Sequence, residues 1–403
     1  MALKMKVGIL QETRRWQDRR VAITPETAAL IQQNYPQVEL VVQSSTWRVH
    51  QDNEYRKLNI PVVDDVSHCD LLIGVKEVAN EALIEGKTYL MFSHVAKKQA
   101  YNRDFFKLMV QKNITLIDYE YFVDKHRARL VAFGFWAGVV GAYYAFVGIG
   151  KRFCRVELPG PEQCRDLKVL HQQLKKLKIP PLKIVVTGGG RVASGALEII
   201  HHLGIPEVLP KEFLEHEYDH PVFTRLDPED YVRRKNGPFV EQHFFDHPSD
   251  YESAFLPYTK VADVLIACHF WNQDSPHFFT ADDLRSKDFG ISLVSDISCD
   301  VPGPIPTTLR TSEIDSPFYD VDAQQLTEQE PFSFSSHVTV TAVDNLPAAL
   351  PMDASRTFAR DLYYEVFPSL FGEDKEEIVE RATILKNGKL TPRFSYLRDF
   401  LEK

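Results

Sequence analysis

Four ionisable residues end or follow short apolar runs in the first third of the chain. Lys76 ends the run LLIGVK and His94 ends YLMFSH, while Glu12 and Glu120 end VGILQE and ITLIDYE. Lys76 and His94 lie 18 residues apart (94 − 76), which fits a helical crossover between two parallel strands. Parallel strands would bring all four side chains to one carboxyl edge of a sheet, where open α/β sheets bind ligands.

The chemistry of this group suits acid–base work on an amine. An imidazole such as that of His94 titrates near neutral pH and can both accept and deliver a proton. Lys76 could act as a base only after losing its own proton, which burial or a nearby cation promotes. Strand ends are often polar for solubility alone, so a single such residue is weak evidence, but Lys76 and His94 together favour catalysis.

Cationic residues near these strand ends could bind a substrate carboxylate. The segment DRRVAITP contributes Arg19 and Arg20, and Lys97 and Lys98 come shortly after His94. A guanidinium pairs with a carboxylate through two parallel hydrogen bonds, whereas an ammonium does so less specifically. For Arg19 and Lys98 we favour a role in surface solubility, which leaves Arg20 and Lys97 as candidate substrate-binding residues.

A glycine-rich loop in the middle of the chain matches a dinucleotide-binding pattern. The stretch VVTGGGRVASG places Gly188, Gly190 and Ala193 as G-x-G-x-x-A between a strand-like run and a helix-like run. The first glycine allows a tight turn, the second lets the pyrophosphate approach the backbone, and the helix N-terminus attracts phosphate. A glycine turn without a ligand is the alternative. We assign Arg191 and Val192, in the same loop, to the cofactor site.

The acid expected at the end of the second strand would select the cofactor. Glu212 lies 22 residues after Gly190 (212 − 190), at the end of EVLPKE, close to the spacing of about 20 residues in such folds. A carboxylate there repels a 2′-phosphate, so NAD is favoured over NADP, with Lys211 moderating the preference. Asp296, which ends the run ISLVSD, is the remaining candidate cofactor-binding residue.

The segment HEYDH, residues 216–220, is a literal H-E-x-x-H zinc-protease motif. A zinc site of that kind needs a sustained helix and a third ligand further along the chain. Pro221 follows His220 directly and would limit a helix to one or two turns. No third-ligand motif follows, so we predict a surface loop or short helix and no metal.

Composition excludes several classes of partner. The net charge is −9, which repels nucleic-acid phosphates and anionic lipids. The five cysteines are scattered and contain no CxxC pair, which favours a reducing compartment. The N-terminal 20 residues lack the apolar core of a signal peptide. The uncharged stretch 130–150 could be a membrane span or a buried helix, and we favour the buried helix.

Strand-like and helix-like runs alternate along the chain, which predicts α/β architecture with parallel sheets covered by helices. The run KVGIL precedes the helical TPETAALIQQNYP, with Thr24 as N-cap, and VELVVQ follows as a strand. The pattern continues with NEALIEGK as a helix and resumes after residue 181 with LKIVVTGGG. The runs KVADVLIACHFW, ISLVSDISCD and HVTVTAVDN are predicted as later strands.

Several motifs together resemble one family. DRRVAITPE, GVKEV, FSHVAKK, VAFGFWAGVVGA, TGGGRVASG, SDISCDVPGPI and TAVDNLPAALPMDAS occur in this order. Nearly the whole chain is similar to lysine-forming saccharopine dehydrogenases and lysine-ketoglutarate reductase modules, with alanine dehydrogenase and the transhydrogenase nucleotide domain as more distant relatives. The resemblance implies two Rossmann-like domains with a cleft between them. Residues 1–131 plus 344–403 would form the substrate domain and 132–343 the NAD-binding domain, with inserts near 151–181 and 213–260.

The resemblance also implies roles for individual residues. Lys76 and His94 match the family's acid–base pair, and Glu120 matches a glutamate that tunes their charge. Arg20 matches an arginine that binds a substrate carboxylate, and Asp344 matches an aspartate near the nicotinamide. Phe133, within the AFGFWAG stretch, is assigned to the substrate site.

The implied reaction is NAD-dependent oxidation of an opine-type secondary amine, saccharopine, to lysine and 2-oxoglutarate, or the reverse. An alanine dehydrogenase-like or other imine-reducing activity is the alternative, as is a non-catalytic NAD-binding homologue. The expected partners are a small amino acid or 2-oxo acid, with no nucleic acid and no membrane. We expect a cytoplasmic monomer or homo-oligomer. The stretch 213–260, which is rich in His, Asp and Tyr, is expected to reshape the substrate pocket.

Overall fold

The computed structural model describes residues 4–13 and 18–402. Two compact units divide the chain, one formed by residues 1–133 with 351–403 and the other by residues 134–350. The predicted boundary at 344 assigned residues 344–350, including Asp344, to the first unit. In the structure they belong to the second unit. The prediction on a signal peptide concerns residues 1–20, of which 1–3 and 14–17 lie outside the described residues.

Strands and helices alternate through much of both units. The strands within the described residues are β1 (Met5–Ile9), β2 (Val38–Gln43), β3 (Val62–Val63), β4 (Leu71–Lys76), β5 (Thr88–Phe92), β6 (Thr115–Asp118), β7 (Lys183–Thr187), β8 (Val222–Leu226), β9 (Val232–Arg234), β10 (Tyr251–Ser253), β11 (Val264–Ala267), β12 (Leu293–Asp296), β13 (Tyr319–Asp322), β14 (Thr327–Gln329), β15 (Val338–Thr341), β16 (Thr383–Lys386) and β17 (Lys389–Leu390). The helices there are α1 (Pro25–Asn34), α2 (Asp52–Lys57), α3 (Arg103–Gln111), α4 (Gly134–Ile149), α5 (Leu167–Leu174), α6 (Arg191–His202), α7 (Pro210–Glu215), α8 (Pro228–Tyr231), α9 (Glu241–Asp246), α10 (Leu256–Val261), α11 (Ala281–Leu284), α12 (Pro351–Asp361), α13 (Phe367–Leu370), α14 (Ile378–Ala382) and α15 (Arg398–Glu402), and π-helical turns follow α4 and α12.

The first unit is built on a mostly parallel sheet. Its strand order is β17-β16-β6-β5-β4-β1-β2-β3, with β6 through β3 parallel and β16 and β17 antiparallel at one edge. The central strands are mostly apolar, as expected for a sheet whose two faces are both buried. The Thr24 hydroxyl accepts the backbone N–H of Thr27 at 3.4 Å, so the predicted N-cap of α1 is confirmed.

The second unit has its own mostly parallel sheet. The order β14-β13-β15-β12-β11-β7-β8 has β13 and β14 antiparallel at one end and parallel strands from β15 to β8. The predicted α/β class, with parallel sheets flanked by helices, is confirmed. Strand β7 lies between β11 and the edge strand β8, so the glycine loop after β7 opens at the carboxyl edge between the ends of those two strands.

The uncharged stretch at 130–150 forms the buried helix α4, which packs against α6 within the second unit. A Cβ built on Gly138 would lie 1.9 Å from the Val192 carbonyl oxygen, and one on Gly195 would lie 1.9 Å from the Phe135 carbonyl oxygen. Only glycine therefore permits this backbone-to-backbone approach. No helix in the described part of the chain is long and apolar enough to span a membrane.

Three predictions on local structure are wrong. The run EVLPKE is not a strand, because residues 210–215 form helix α7 and Glu207 makes only an isolated bridge to Phe223. The segment 213–260 is not an insert outside the sheet, since it supplies β8, the neighbour of β7. NEALIEGK forms only a single 3-10 turn at Asn80–Ala82.

Candidate functional site

The carboxyl edge of the first sheet brings Lys76 and His94 together. Strands β4 and β5 are parallel neighbours, Lys76 is the last residue of β4, and His94 follows β5 by two residues. His94 has a left-handed backbone (φ 54°), which ends the strand and turns the chain. Its Nε2 atom lies 3.4 Å from the Lys76 Nζ atom. The predicted pair is thus in contact, within reach of a shared proton.

A buried carboxylate, Glu77, faces the other side of the imidazole. The Oε2 atom of Glu77 lies 3.4 Å from Nδ1 of His94, and Glu77 is only 3% exposed. Burial by itself would raise the pKa of Glu77, but His94, a backbone N–H and the charge of Lys76 together lower it. A carboxylate at Nδ1 holds a proton on that nitrogen, which leaves Nε2 to accept a proton on the Lys76 side.

Glu120 and two cations form the next layer of this edge. The Oε1 atom of Glu120 lies 3.3 Å from the Lys97 Nζ atom and 3.5 Å from an Arg129 nitrogen. Burial raises the pKa of Glu120, but the charges of Lys97, Arg129 and His94 together lower it. Glu120 is therefore an anion held by cations, and Lys97, predicted to bind substrate, is paired with this glutamate.

Glu12 acts on the backbone of β4. Its two carboxyl oxygens accept the N–H groups of Val75 and Lys76 at 2.7 Å and 2.9 Å. Burial, with a contribution from the Asp18 charge, raises its pKa to about 8. Glu12 therefore fixes the end of β4, and with it the start of the Lys76 side chain.

Arg20 is held in a buried ion pair. Its Nε and Nη2 atoms contact the Asp18 carboxylate at 2.9 Å and 2.6 Å, and both residues are 2% exposed. Burial raises the pKa of Asp18, but Arg20 outweighs it and lowers the pKa to about 2. The guanidinium carbon lies 4.3 Å from the centre of the Phe133 ring, which stacks on Phe358. The predicted substrate residues Arg20 and Phe133 are therefore in contact, with the guanidinium already turned toward Asp18.

The glycine loop of the second unit has the geometry of a phosphate-binding turn. Gly188 has φ 92°, and a Cβ there would lie 3.0 Å from the Cys268 carbonyl oxygen. Gly190 caps α6, and a Cβ on it would meet nothing within 4 Å, so the space above its backbone is open. Ala193 is buried against the sheet. This is the arrangement that lets a pyrophosphate sit on the N-terminus of α6.

A cavity of about 700 Å³ adjoins this loop. It is lined by Gly188, Gly189, Gly190, Arg191, Val192, Arg225, Asp227, Pro228, Tyr231, Glu241, Phe245, Cys268, His269 and Phe270. All of the cofactor residues predicted in the glycine loop, including Arg191 and Val192, are among them. The size and lining suit a nucleotide.

The acid at the end of the second strand is Asp227, and the prediction of Glu212 is wrong. Asp227 follows β8, the parallel neighbour of β7, and lines the cavity. Glu212 lies in α7 and caps that helix through the Leu209 N–H at 3.3 Å. The connection between α6 and β8 is long, so the acid comes 37 residues after Gly190 (227 − 190) and a count of about 20 residues falls short of it.

Asp296 and Asp344 lie beyond the ends of neighbouring parallel strands. Asp296 ends β12 and is fully engaged with its own loop, accepting hydrogen bonds from Ser298 Oγ and Thr308 Oγ1, both at 2.7 Å. It therefore holds the loop 298–308, and a direct contact with cofactor stays a prediction. Asp344 is exposed three residues beyond β15, at the same edge.

The segment HEYDH is not a helix. Helix α7 ends at Glu215, and His216 has an extended backbone (φ −113°, ψ 149°). The His220 Nδ1 atom pairs with the adjacent Asp219 at 2.7 Å. The two imidazoles therefore do not share a helix face, which is the arrangement the zinc motif requires.

Sequence reasoning missed Glu77, Asp18, Arg129 and Asp227. Glu77 directly follows Lys76, and Asp18 lies two residues before Arg20. An acid close to a cation in sequence is usually solvated, and nothing in the pattern shows that these two acids are buried. Asp227 was detectable as the acid that directly follows the apolar run VFTRL.

Comparisons with known proteins identify one matching family model and two solved structures that share the fold of this chain. Residues 8–140 match the model of the family "Alanine dehydrogenase/PNT, N-terminal domain". A solved L-alanine dehydrogenase superposes with a TM-score of 0.68 at 15% identity, covering 98% of this chain and 100% of that one. A transhydrogenase from Sinorhizobium meliloti gives 0.60 at 15% identity, over 96% and 98%. At this identity the two structures show the fold alone.

Sequence relatives are more specific. The chain is 28% identical to an alpha-aminoadipic semialdehyde synthase of Arabidopsis thaliana, over 97% of this chain and 41% of that protein. It is 28% identical to the mitochondrial enzyme of the same name from Mus musculus, over 90% and 44%. A saccharopine dehydrogenase [NAD(+), L-lysine-forming] of Neurospora crassa is 27% identical over 86% of both chains. The resemblance stated from the sequence is confirmed, and the chain spans less than half the length of the first of these relatives.

Proposed function

We propose that this chain is an NAD-dependent dehydrogenase that oxidises the C–N bond of a saccharopine-type secondary amine, or forms that bond in reverse. The observation that carries the proposal is the contact of 3.4 Å between Lys76 Nζ and His94 Nε2, backed by the buried Glu77. The saccharopine dehydrogenase of Neurospora crassa, similar along 86% of this chain, supports the substrate class.

The nucleotide cavity fits a dinucleotide. The open space over Gly190, the left-handed turn at Gly188 and the N-terminus of α6 suit a pyrophosphate, and Asp227 suits ribose hydroxyls. A carboxylate at that position favours NAD over NADP, which is the preference predicted from Glu212 in the sequence. A bound nicotinamide cofactor supplies the hydride acceptor.

The residues at the edge of the first sheet move the protons. As hydride leaves the carbon beside the nitrogen, the amine proton passes to Lys76 Nζ and a C=N bond forms. His94 Nε2 then takes a proton from water, whose oxygen adds to the imine carbon. The nitrogen takes one proton as the carbinolamine forms. It takes a second proton as the carbinolamine hydroxyl gives up its own, and the C–N bond then breaks, C=O forms, and an amino acid and a 2-oxo acid are released. Glu77 holds His94 in the tautomer that both steps need.

The charges around the pair suit an anionic substrate. We assign substrate-carboxylate binding to Arg20, whose guanidinium plane is fixed by Asp18 and the Phe133 ring. Lys97 and Arg129 both contact Glu120, so two cations lie at this part of the edge. Asp344 stays a proposed neighbour of the nicotinamide.

A reducing compartment such as the cytoplasm is part of the proposal. All five cysteines are unpaired, and burial raises the pKa of the Cys69 thiol to about 11. The thiolate is the form that reacts, so this thiol is inert.

The proposal is tested with a substrate panel followed by NADH absorbance. Saccharopine with NAD, and lysine plus 2-oxoglutarate with NADH or NADPH, are compared with alanine, and with pyruvate plus ammonia. We expect turnover of saccharopine that is lost in Lys76→Met and His94→Gln and retained in the exposed controls Lys57→Met and His68→Gln. Turnover of alanine without saccharopine would assign the chain to the alanine dehydrogenase-like alternative, and cofactor binding without any turnover to a non-catalytic homologue.

A further inference from the structure

We propose that Phe245 and Phe270 form the two aromatic walls of the adenine subsite in the nucleotide cavity. This inference deepens the proposed function and rests on its assignment of a dinucleotide to the cavity. The ligand chemistry is a purine base joined to a ribose, and the walls act on its two faces.

Strand order places the two phenylalanines on opposite sides of the glycine loop. Strand β7 lies between β8 and β11, and all three are parallel, so their carboxyl-end loops stand side by side. Phe245 lies on α9, in the chain that follows β8, and Phe270 lies three residues beyond the end of β11. Both line the cavity of about 700 Å³ that the glycine loop also lines. A flat ligand lying over that loop thus has one phenylalanine on each side.

The exposure of these rings is unusual for a cavity lining. Phe270 is 70% exposed and Phe245 is 42% exposed. A purine has two planar apolar faces, and stacking on an aromatic ring removes both partners from water. Base binding therefore accounts for two apolar rings left in solvent at the mouth of a cavity.

The rest of the lining agrees with a base at this end. Asp227, which suits the ribose hydroxyls, directly follows β8, so the base attached to that ribose lies near the chain that carries Phe245. His269, beside Phe270, is 6% exposed, and burial lowers its pKa to about 3. It is a neutral ring packed 4.3 Å from the Phe278 ring, so His269 places no positive charge beside Phe270.

This assignment also explains the segment 213–260, which the sequence linked to the substrate pocket. That segment supplies Tyr231, Glu241 and Phe245 to the nucleotide cavity. Helix α9 is held against β10 because Phe244, on the buried face of the helix, packs on Tyr251 of β10 at 5.1 Å between ring centres. Phe245, the next residue, is thereby turned to the exposed side.

The test measures ADP-ribose and reduced nicotinamide mononucleotide binding to the full chain by isothermal titration calorimetry. Base–aromatic stacking is lost on truncation to alanine, so we expect Phe270→Ala and Phe245→Ala each to weaken ADP-ribose binding at least about tenfold. Binding of reduced nicotinamide mononucleotide, which has no adenine, stays unchanged. Phe270→Trp retains ADP-ribose binding, and Phe334→Ala, a 64% exposed control that does not line the cavity, has no effect.

Two results are decisive against parts of this account. ADP-ribose binding in both alanine variants as tight as in the unmodified chain would overturn the adenine subsite while leaving the dinucleotide assignment intact. No ADP-ribose binding by the unmodified chain would overturn the cofactor assignment itself. Thermal unfolding of each variant separates a loss of binding from a loss of fold. We expect unchanged melting temperatures, because the removed rings are exposed.

Discussion

Replacing Glu77 by glutamine changes one charge behind the imidazole of His94 while keeping the shape of the side chain. Glu77 is 3% exposed, and its carboxylate lies 3.4 Å from Nδ1 of His94. The amide is neutral and can present its NH2 group to Nδ1, which favours the tautomer with the proton on Nε2. That tautomer can no longer accept a proton from Lys76 or water, so the proton steps slow.

The magnitude follows from the attraction between the Glu77 carboxylate and the His94 imidazole, whose nearest atoms lie 3.4 Å apart. A polar contact to a charged group contributes roughly 1.5–3 kcal/mol. If this contact stabilises the transition state alone, its loss lowers kcat roughly 10- to 150-fold. KM is expected to stay unchanged, because the buried carboxylate of Glu77 contacts His94 and is given no contact with the substrate.

The assay is steady-state oxidation of saccharopine, with Glu81→Gln as the matched control because Glu81 is an exposed glutamate nearby. Glu77→Asp, which restores the charge, should recover part of kcat. A variant with unchanged kcat, or one whose defect lies only in KM, would refute the role given to Glu77. A fall in the melting temperature that fully accounts for the lost activity would refute it too.

Three further predictions concern the cofactor, the packing and the pH dependence. Asp227→Asn should raise the ratio of kcat/KM for NADP over NAD about tenfold by removing a charge that repels the 2′-phosphate, with Asp219→Asn as the exposed control; an unchanged ratio would contradict this. Gly195→Ala, whose methyl would lie 1.9 Å from the Phe135 carbonyl oxygen, should destabilise the fold by about 1–3 kcal/mol or more in urea unfolding. Because Glu12 has a pKa raised from 4.5 to about 8, the native state binds a proton that the unfolded chain releases, so its contribution to stability falls as pH rises from 4.5 to 8. Urea unfolding across that window should show a weaker decline in Glu12→Gln.

The first sheet was largely predictable because its pattern is local. Each central strand is a short apolar run that ends in a charged residue, so the runs predicted both the strands and the common edge of Lys76, His94 and Glu120. The prediction that His94 lies beside Lys76 required only that their two strands be parallel neighbours, and β4 and β5 are. The glycine loop was predictable for the same reason, since its residues are contiguous.

What failed depends on packing between distant segments. The acid expected near residue 212 is Asp227. Residues 203–221 lengthen the connection from α6 to β8, and a rule based on a fixed spacing does not allow for a connection of this length. The burial of Glu77 and Asp18 is set by the surrounding fold, and no sequence pattern separates them from solvated acids. The close approach of α4 and α6, which Gly138 and Gly195 permit, likewise joins segments far apart in sequence.

The segment HEYDH is a false match of the opposite kind. It has the residue spacing of a zinc motif but lacks the helix that the motif requires. His216 and His220 have the separation of a zinc pair, but α7 ends before the first of them. Spacing places two side chains on one face only where the backbone between them is helical. Chemistry in this chain is instead proposed for residues that no short motif marks.

The measurement that tests the central claim most directly is the initial rate of NADH formation from saccharopine and NAD, in the unmodified chain and in Lys76→Met. The account predicts clear turnover by the unmodified chain, loss of turnover in Lys76→Met, and unchanged ADP-ribose binding in the variant. Turnover of saccharopine by Lys76→Met at the rate of the unmodified chain would contradict the account, as would no turnover of saccharopine by the unmodified chain.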